Sequence, residues 1–548
     1  MEDAAGPGRH IGDPDVVLVG SGINALVCGA ILARAGVGVA VLEQAGELGG
    51  AIRTAELTVP GFHHDVFSAW HPLFVTSEAY AVLREELAAG GLHYACAPTV
   101  SASVTSRGHS WVMTTSPEQN AAELDRDGSG DGGRYLSDRA SFERVAPLTM
   151  TLLGDETVSS ASARAAWSVL RRNGRHRALG MLGSLTENAR TWLLRTYRSA
   201  GAPTLFSPWL LHTGLGPEAA ASGIMNRAIV ALIEQAGLPV PVGGSASLVR
   251  ALQAIIEANG GVCRTRAEVD RVLVRHDRAV GVRLTDGEYI GARRAVVCSV
   301  TPPALYGRLL ADAPVPEWAR SAAGRFRFGR AGMQLHFALS SAPRWVVDER
   351  LSDAPLIHLT TGLDAVSRAV GEADRGLLPA NATIVCGQPC VVDASRAPAG
   401  RSILWVQLQE LPSRPAGDAA GKIDVGDGTW TSSLRERYAD RIQSRLAEHI
   451  DGFESSVIGR AVLSPADIER ANPNLVGGDI YAGSCDLDQG IFFRPRPELR
   501  GHTTPLRGLY QIGASTHPGP GLGAVSGTLV AKRLLRAKRL LRAGRHRR

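Results

Sequence analysis

From residue 16 onward the hydrophobic positions fall into a short unbroken run, a longer helical stretch and a second short run. Residues 16–19 are continuously apolar, the pattern of a strand buried on both faces of a parallel sheet. Gly20-Ser21-Gly22 breaks the run, a helix extends to about Gly36, and a second apolar strand ends on Glu43. Further along, the spacing predicts a helix over 247–259, then Gly260-Gly261 and alternating strands. Residues 269–275 and 279–284 predict a hairpin turning at Asp277-Arg278, and 295–299 a return to the sheet before Pro302-Pro303. Strands are also predicted over 332–338 and 402–408, with helices between 164 and 197. Leu205, Phe206, Trp209 and His212 make an apolar stripe with one polar tip, read as a core cluster. Near the end, a strand after Gly508 leads into a Gly/Pro-rich turn over 513–523 and a helix through Ala524 to about Leu535.

The first of these units carries chemistry. Gly20 permits a tight strand-to-helix turn, and Gly22 lets the backbone approach a pyrophosphate with no Cβ in the way. Ser21 and Asn24 belong to the same turn, and Ala25 stands at the third glycine position, which the pattern tolerates. The helix N-terminus offers free N–H groups and a partial positive charge. Glu43 lies 23 residues beyond Gly20, where a carboxylate can accept both hydroxyls of an adenosine ribose. Together they predict a dinucleotide site. Leu48-Gly49-Gly50 follows the acid at once, and the terminal turn (Gly513, Ala514, Thr516, Gly521, Leu522, Gly523) has the look of a second cofactor segment. A cofactor gripped near both chain ends is long. This suits FAD, with its AMP half on the first unit and its ribityl chain and ring on the second.

Other stretches add to these two: Val59-Pro-Gly-Phe-His-His-Asp65, Pro241-Val-Gly-Gly-Ser-Ala-Ser-Leu248, Asn472-Pro-Asn-Leu-Val-Gly-Gly-Asp479 and Phe493-Arg-Pro-Arg-Pro497. With them the chain resembles the flavoprotein superfamily of amine oxidases and bacterial-type phytoene desaturases. Within it, the chain is most similar to the phytoene-dehydrogenase-like, pyridine-nucleotide-disulfide-oxidoreductase-domain-2-like branch. The resemblance runs from about residue 13 to 536. It implies an α/β chain whose Rossmann-type FAD-binding domain is discontinuous (13–75, 241–303, 490–536) and interleaved with an α+β substrate-binding domain (76–240, 304–489). Residues 537–548 remain as a basic tail. The resemblance also implies that Val269 meets the adenine through its backbone. Ala51 departs from the arginine that many relatives carry after the diglycine, so Arg53 becomes the candidate for that pyrophosphate contact. His64 and His71 become candidates for handling a proton, since imidazole titrates near neutrality. Trp70 and His517 become candidates for the substrate side of the ring. Many flavin amine oxidases place a lysine near the flavin on the strand resembling 332–338; here that strand has none, which weighs against amine oxidation.

Composition narrows the function class. At 44% hydrophobic and 20% charged the chain is globular, and no run of 18 uncharged apolar residues could span a membrane. The first residues lack a signal-peptide pattern. Seven scattered cysteines include no CxxC, so redox-disulfide chemistry is not expected and the reading is a cytoplasmic protein. Nine basic residues lie between Lys532 and Arg548, and removing them from the net +6 leaves the body at −3, which argues against nucleic-acid binding. The tail repeats Ala-Lys-Arg-Leu-Leu-Arg in tandem, with Val530, Leu534, Ala537 and Leu541 on one helical face. The favoured reading is a solvated extension of the last helix; peripheral contact with an anionic membrane is the other. Residues 125–131 mimic the start of a calcium loop, but the twelfth position is Leu136, so a flexible polar loop and no metal are expected.

The expected function is an FAD-dependent oxidoreductase that desaturates a hydrophobic small molecule such as a polyene, isoprenoid or acyl/polyketide chain. Oxygen or a quinone would accept the electrons. A redox-neutral double-bond isomerase and a non-catalytic FAD-binding interaction protein stay open as alternatives.

Overall fold

A computed structural model describes residues 13–105, 108–156 and 185–545, with residues 164, 167, 171 and 183 between, and side chains as far as Ala537. Five parallel strands form the first sheet, in the order Leu509–Gln511, Ala295–Cys298, Val16–Val19, Val39–Leu42, Val262–Arg264. The strand nearest the N-terminus is thus central; one neighbour, Val39–Leu42, follows the first helix, while the other, Ala295–Cys298, comes hundreds of residues later. Val16–Val19 is buried at every position, as its unbroken apolar run requires. Val16 and Leu18 face the helices, while Val17 and Val19 face a three-stranded antiparallel sheet over residues 269–291. The hairpin in that smaller sheet turns one residue earlier than expected. His276 and Asp277 both take positive φ, the geometry whose twist matches a two-residue hairpin.

The helix Ile23–Arg34 packs between Ala246–Ala258 and the terminal helix Val525–Arg545 in one apolar cluster. Val530, Ala531 and Leu534 are buried in that cluster, so this part of the apolar stripe expected of the tail is already covered by the protein core. Among the described residues no helix is long and apolar enough to cross a membrane.

A second, seven-stranded sheet runs Val457–Leu463, Ala331–Leu339, Ser402–Leu411, Ile384–Gly387, Leu356–Leu359, Thr99–Val104, Ser110–Thr114. Side chains alternate across it. Met333, Leu335, Phe337, Leu404, Val406 and Leu408 bury one face against Leu434, Tyr438, Ile442 and Leu446 of the helix Ser432–Ala447. The alternate positions Gln334, His336, Trp405, Gln407, Gln409, His358 and Ser103 make the other face, also buried.

Leu205, Phe206 and Trp209 lie in a core cluster on the helix Gly201–Leu211, every residue of which is buried. Of the helices expected between 164 and 197, Ala189–Thr196 is described and most of the remainder lies outside the described residues. The polar loop at 125–131 is largely exposed and is anchored where it enters the next helix. Asp131 is fully buried at the head of the helix Asp131–Glu143 and accepts the backbone N–H groups of Arg198 (2.9 Å) and Ser199 (2.8 Å).

The close seat of the terminal helix gives a test. An ideal Cβ on Gly527 would lie 1.9 Å from the Asn24 carbonyl oxygen, whereas one on Gly307 would meet nothing within 4 Å. Gly527→Ala is therefore expected to destabilise the protein by about 1–3 kcal/mol through forced separation of the two helices. Gly307→Ala should leave stability unchanged or slightly raised. Urea unfolding of the pair checks this, and equal midpoints would reject it.

Candidate cofactor and active site

Gly20 sits at φ +89°, and a Cβ there would lie 3.3 Å from the Ser299 carbonyl. Gly22 is the N-cap of the first helix, with no side-chain cap and no acid in the first turn. The leading N–H groups and the positive end of the dipole are therefore not neutralised locally. Gly49, at φ +116°, forms an isolated bridge to Gly22, and a Cβ on Gly50 would lie 3.2 Å from the Gly22 Cα. The Glu43 carboxylate is buried and fixed. One oxygen accepts Ser21 N (2.9 Å) and Ser21 Oγ (2.6 Å), and the other accepts Ala45 N (2.9 Å). The Ser21 hydroxyl in turn accepts Gly49 N at 3.0 Å. Ala267 N donates to the Glu43 carbonyl (2.8 Å), which brings the start of the Val269 strand beside the acid. Ala25 is buried in the helix core. Arg53 is about one-third exposed, 3.8 Å from Glu47. A cradle of glycine backbone, an uncapped helix end and an oriented carboxylate fit the AMP half of FAD.

The terminal turn is bound to this cradle by one side chain. Asn24 Oδ1 accepts Ser526 Oγ (2.8 Å) and Gly527 N (3.3 Å), and Ser526 Oγ accepts Gly513 N (2.9 Å). The Asn24 carboxamide oxygen therefore joins the two motifs. Gly513 is at φ +110°, and Thr516, fully buried, folds back through N and Oγ1 onto its carbonyl. Ala514 O accepts Arg494 Nε (2.7 Å). Gly521 and Gly523 pack against Leu73, and Leu522 lies half-buried on the helix cluster.

Three polar residues in this region, Arg494 and Asp479 buried and Asn474 half-buried, escaped the sequence reading as site residues. Arg494 also donates to the carbonyls of Ser484 (2.8 Å) and Tyr481 (2.9 Å). Asp479 accepts the N–H groups of Gly329, Tyr481 and Gly483 at 2.7–2.8 Å, and burial pushes its carboxyl above the usual range. Asn474 holds Ser299 O (3.1 Å) and Thr301 N (3.2 Å), linking its segment to the strand beside Gly20. The signal was present as isolated polar residues in the 472–497 stretch, but nothing in it told a strut from a ligand.

His64–Asp65 pair antiparallel with Thr54–Ala55, and the segment that follows reaches the terminal turn: Val66 and Phe67 share an apolar cluster with Ala51, Ala482 and Ala514. His64 and Asp65 do not bond each other, because strand alternation turns them to opposite sides. Asp65 accepts Thr54 Oγ1 (2.7 Å), Ser245 N (2.8 Å) and Arg396 Nη1 (2.8 Å). Arg396 is fully buried, and its Nε and Nη2 are taken by Asp393 (2.7 Å) and the Pro241 carbonyl (2.9 Å). His64 Nε2 meets Thr58 Oγ1 at 2.8 Å, its Nδ1 has no partner among the described residues, and its ring stands edge-on to His336 at 5.2 Å. His71 is engaged at both nitrogens, by Tyr94 Oη (2.9 Å) and Ser245 Oγ (3.2 Å). Burial pushes both imidazoles down to about 4, against the attraction of Asp65.

Trp70 stands edge-on to Trp405 at 5.2 Å. His517 faces the carbonyls of Ile491 (2.8 Å) and Asp155 (3.0 Å), so neither of its nitrogens is left for a substrate. Among the described residues, no three His, Cys, Asp or Glu side chains are grouped to hold a metal ion. A cavity of about 30 Å³ lined by Tyr135, Trp192, Phe206 and Glu234 has room for a water molecule and shares no lining residue with either glycine motif.

Known proteins match this arrangement. The mouse pyridine nucleotide-disulfide oxidoreductase domain-containing protein 2 is 26% identical over 96% of this chain and 94% of its own length. The lycopene-forming phytoene desaturase of Paracoccus sp. is 27% identical over 60% of this chain and 61% of its own. Among solved structures, an oxidoreductase from Methanosarcina mazei superposes with a TM-score of 0.58 at 14% identity, covering 94% of this chain and 99% of that one, which supports the shared fold. The model of the flavin containing amine oxidoreductase family matches residues 26–345, more than half of the sequence. The chain belongs to that family and is an FAD-dependent oxidoreductase of the amine oxidase and carotenoid desaturase type.

Proposed function

We propose that the protein dehydrogenates a hydrophobic small molecule, forming a C=C bond, and passes the electrons to oxygen or a quinone. The observation that carries this reading is the strand Ala331–Leu339. It approaches the 64–71 segment with Gln334 and His336 rather than a lysine, beside an imidazole that burial keeps neutral. FAD, when bound, supplies a two-electron acceptor. Gly20, Ser21, Gly22, Glu43, Gly49, Gly50 and Arg53 would hold its AMP and pyrophosphate, with Val269 at the adenine. Gly513, Ala514 and Thr516 would hold the ribityl and ring end. Residues 13–75, 241–303 and 490–536 would form the cofactor domain, and 76–240 with 304–489 the substrate domain.

Within this reading the protein's work is positioning, exclusion of water and the fate of one proton. The Asp65–Arg396–Asp393 chain fixes the backbone that carries His64. Trp70 and Trp405 close the apolar side. Since both nitrogens of His71 are engaged, His64, with Nδ1 free, is the better candidate to accept the proton lost from substrate.

Two outcomes are expected. The purified protein should be yellow, and Glu43→Ala should weaken FAD binding by about 1.5–3 kcal/mol, the worth of hydrogen bonds to a charged group. Titrating apo protein with FAD reads this directly, and a wild-type protein that stays colourless in excess FAD sinks the reading. Anaerobic addition of substrate should bleach the flavin, and His64→Gln should slow that bleaching about 10²–10⁴-fold with FAD still bound. The His64 imidazole carries its lowered pKa near 4, so it is neutral above pH 5 and adds no step to the rate between pH 5.5 and 8. A step near pH 6.5 that His64→Gln removes would contradict this assignment.

A further inference from the structure

The polar face of the seven-stranded sheet is the feature that a hydrocarbon-handling site does not explain. Gln334 and His336 project from one strand, and Trp405 lies directly across from His336 on the next. His64 and Trp70 come from the segment covering that face, with His64 beside His336 and Trp70 beside Trp405. All five side chains are at most 8% exposed. Among the described residues, His64 Nδ1, Trp70 Nε1, Trp405 Nε1, Gln334 Oε1 and both His336 nitrogens have no hydrogen-bond partner; His336 makes only a loose approach to the Val66 backbone. Buried polar atoms are nearly always satisfied, and leaving one unpaired costs stability. A cluster of six such atoms in one place is the mark of groups kept for a ligand.

The cluster adjoins the region proposed for the flavin ring. Gln334 Nε2 donates to the Phe67 carbonyl at 3.1 Å, and Phe67 packs with Ala514 and Ala51 in one apolar group.

The donor set selects the ligand's chemistry. Two indole N–H groups can only donate, Gln334 Oε1 can only accept, and a neutral imidazole does one of each. The charged groups at its edge are spent: Asp65 is filled by Thr54, Ser245 and Arg396, and the Arg396 nitrogens by Asp65, Asp393 and Pro241. Neither an ammonium nor a carboxylate finds a counter-charge here. A hydroxyl, uncharged and able both to donate and to accept, fits such a set, and a carbonyl oxygen fits its indole and imidazole N–H donors.

We propose that Gln334, His336, Trp405, Trp70 and His64 form a recognition site for an uncharged oxygen function, so that the substrate is a hydrophobic alcohol or ketone rather than a bare hydrocarbon or an amine. The inference rests on the dehydrogenase reading above and deepens it by naming the substrate class.

The test uses the FAD-loaded protein and three probes on one skeleton: heptane, 1-heptanol and heptylamine, with binding read from perturbation of the flavin absorption band. Heptanol is expected to bind about tenfold more tightly than either of the others, the worth of one or two net hydrogen bonds. His336→Leu and Gln334→Leu should abolish that preference. His336→Leu should also raise the melting temperature, because an apolar side chain there removes two unpartnered ring nitrogens, whereas Gln334→Leu also gives up the bond to the Phe67 carbonyl and carries no such expectation. Equal or tighter binding of heptane or heptylamine overturns the proposal. So does a leucine variant that keeps the preference, or a His336→Leu protein that melts lower. A protein that takes up no FAD would instead defeat the underlying function, whereas a yellow protein without alcohol preference defeats only this inference.

Discussion

One carboxamide oxygen, Asn24 Oδ1, sets the relation between the two ends of the chain. It receives the Ser526 hydroxyl and the Gly527 N–H, while Ser526 receives Gly513 N, so both glycine-rich turns are referred to the same atom. The helices on either side approach so closely that only glycine fits at 527. Shift that oxygen and the two halves of the proposed FAD cradle lose their common reference. The rest of the site is built outward from this point.

A second layer of buried charge does the same for the substrate side. Asp65, Arg396 and Asp393 are each nearly or fully inaccessible, and their hydrogen bonds also capture Thr54, Ser245 and the Pro241 carbonyl. Removing one member of such a chain leaves an uncompensated charge in the interior, which is why ion groups of this kind hold geometry more than they add stability. Arg494, spread over several carbonyls, serves the terminal turn in the same way. Among the uncharged side chains beside them, the two tryptophans pack edge-on to each other and Gln334 is anchored to the Phe67 carbonyl.

Local signals were legible in the sequence and distant ones were not. The Val16–Glu43 unit could be read because continuous apolar strands, Gly20 and Gly22 all act within a few residues of one another. The sheet strands at Ala331–Leu339 and Ser402–Leu411 were legible in part, since one face alternates cleanly while the other carries buried Gln, His and Trp that mimic a solvent side. Asn24 was recognised as belonging to the turn, but its partner lies 502 residues away, and no spacing rule reaches that far. Arg396 was invisible for the same reason, 331 residues from Asp65. The hairpin turn was displaced by one residue because His276 accepts a left-handed backbone that its side chain does not advertise. The i, i+4 series Leu434, Tyr438, Ile442, Leu446 is a signal that could have been read and marks a helix buried on one side.

The central position of the Val16–Val19 strand has a consequence for biosynthesis. Chains leave the ribosome N-terminus first, and this strand emerges with its hydrogen-bonding edge toward Ala295–Cys298 unpaired until that strand is made. Leu509–Gln511, which pairs on the far side of Ala295–Cys298, is made only after the whole seven-stranded sheet, so the parallel sheet closes late. Pairings this distant in sequence are slow to form and leave apolar edges exposed in the interim. Until Ala295–Cys298 is made the first strand is paired on one edge only, by Val39–Leu42, and loss of the terminal helix is felt first at the helix Ile23–Arg34, against which it packs.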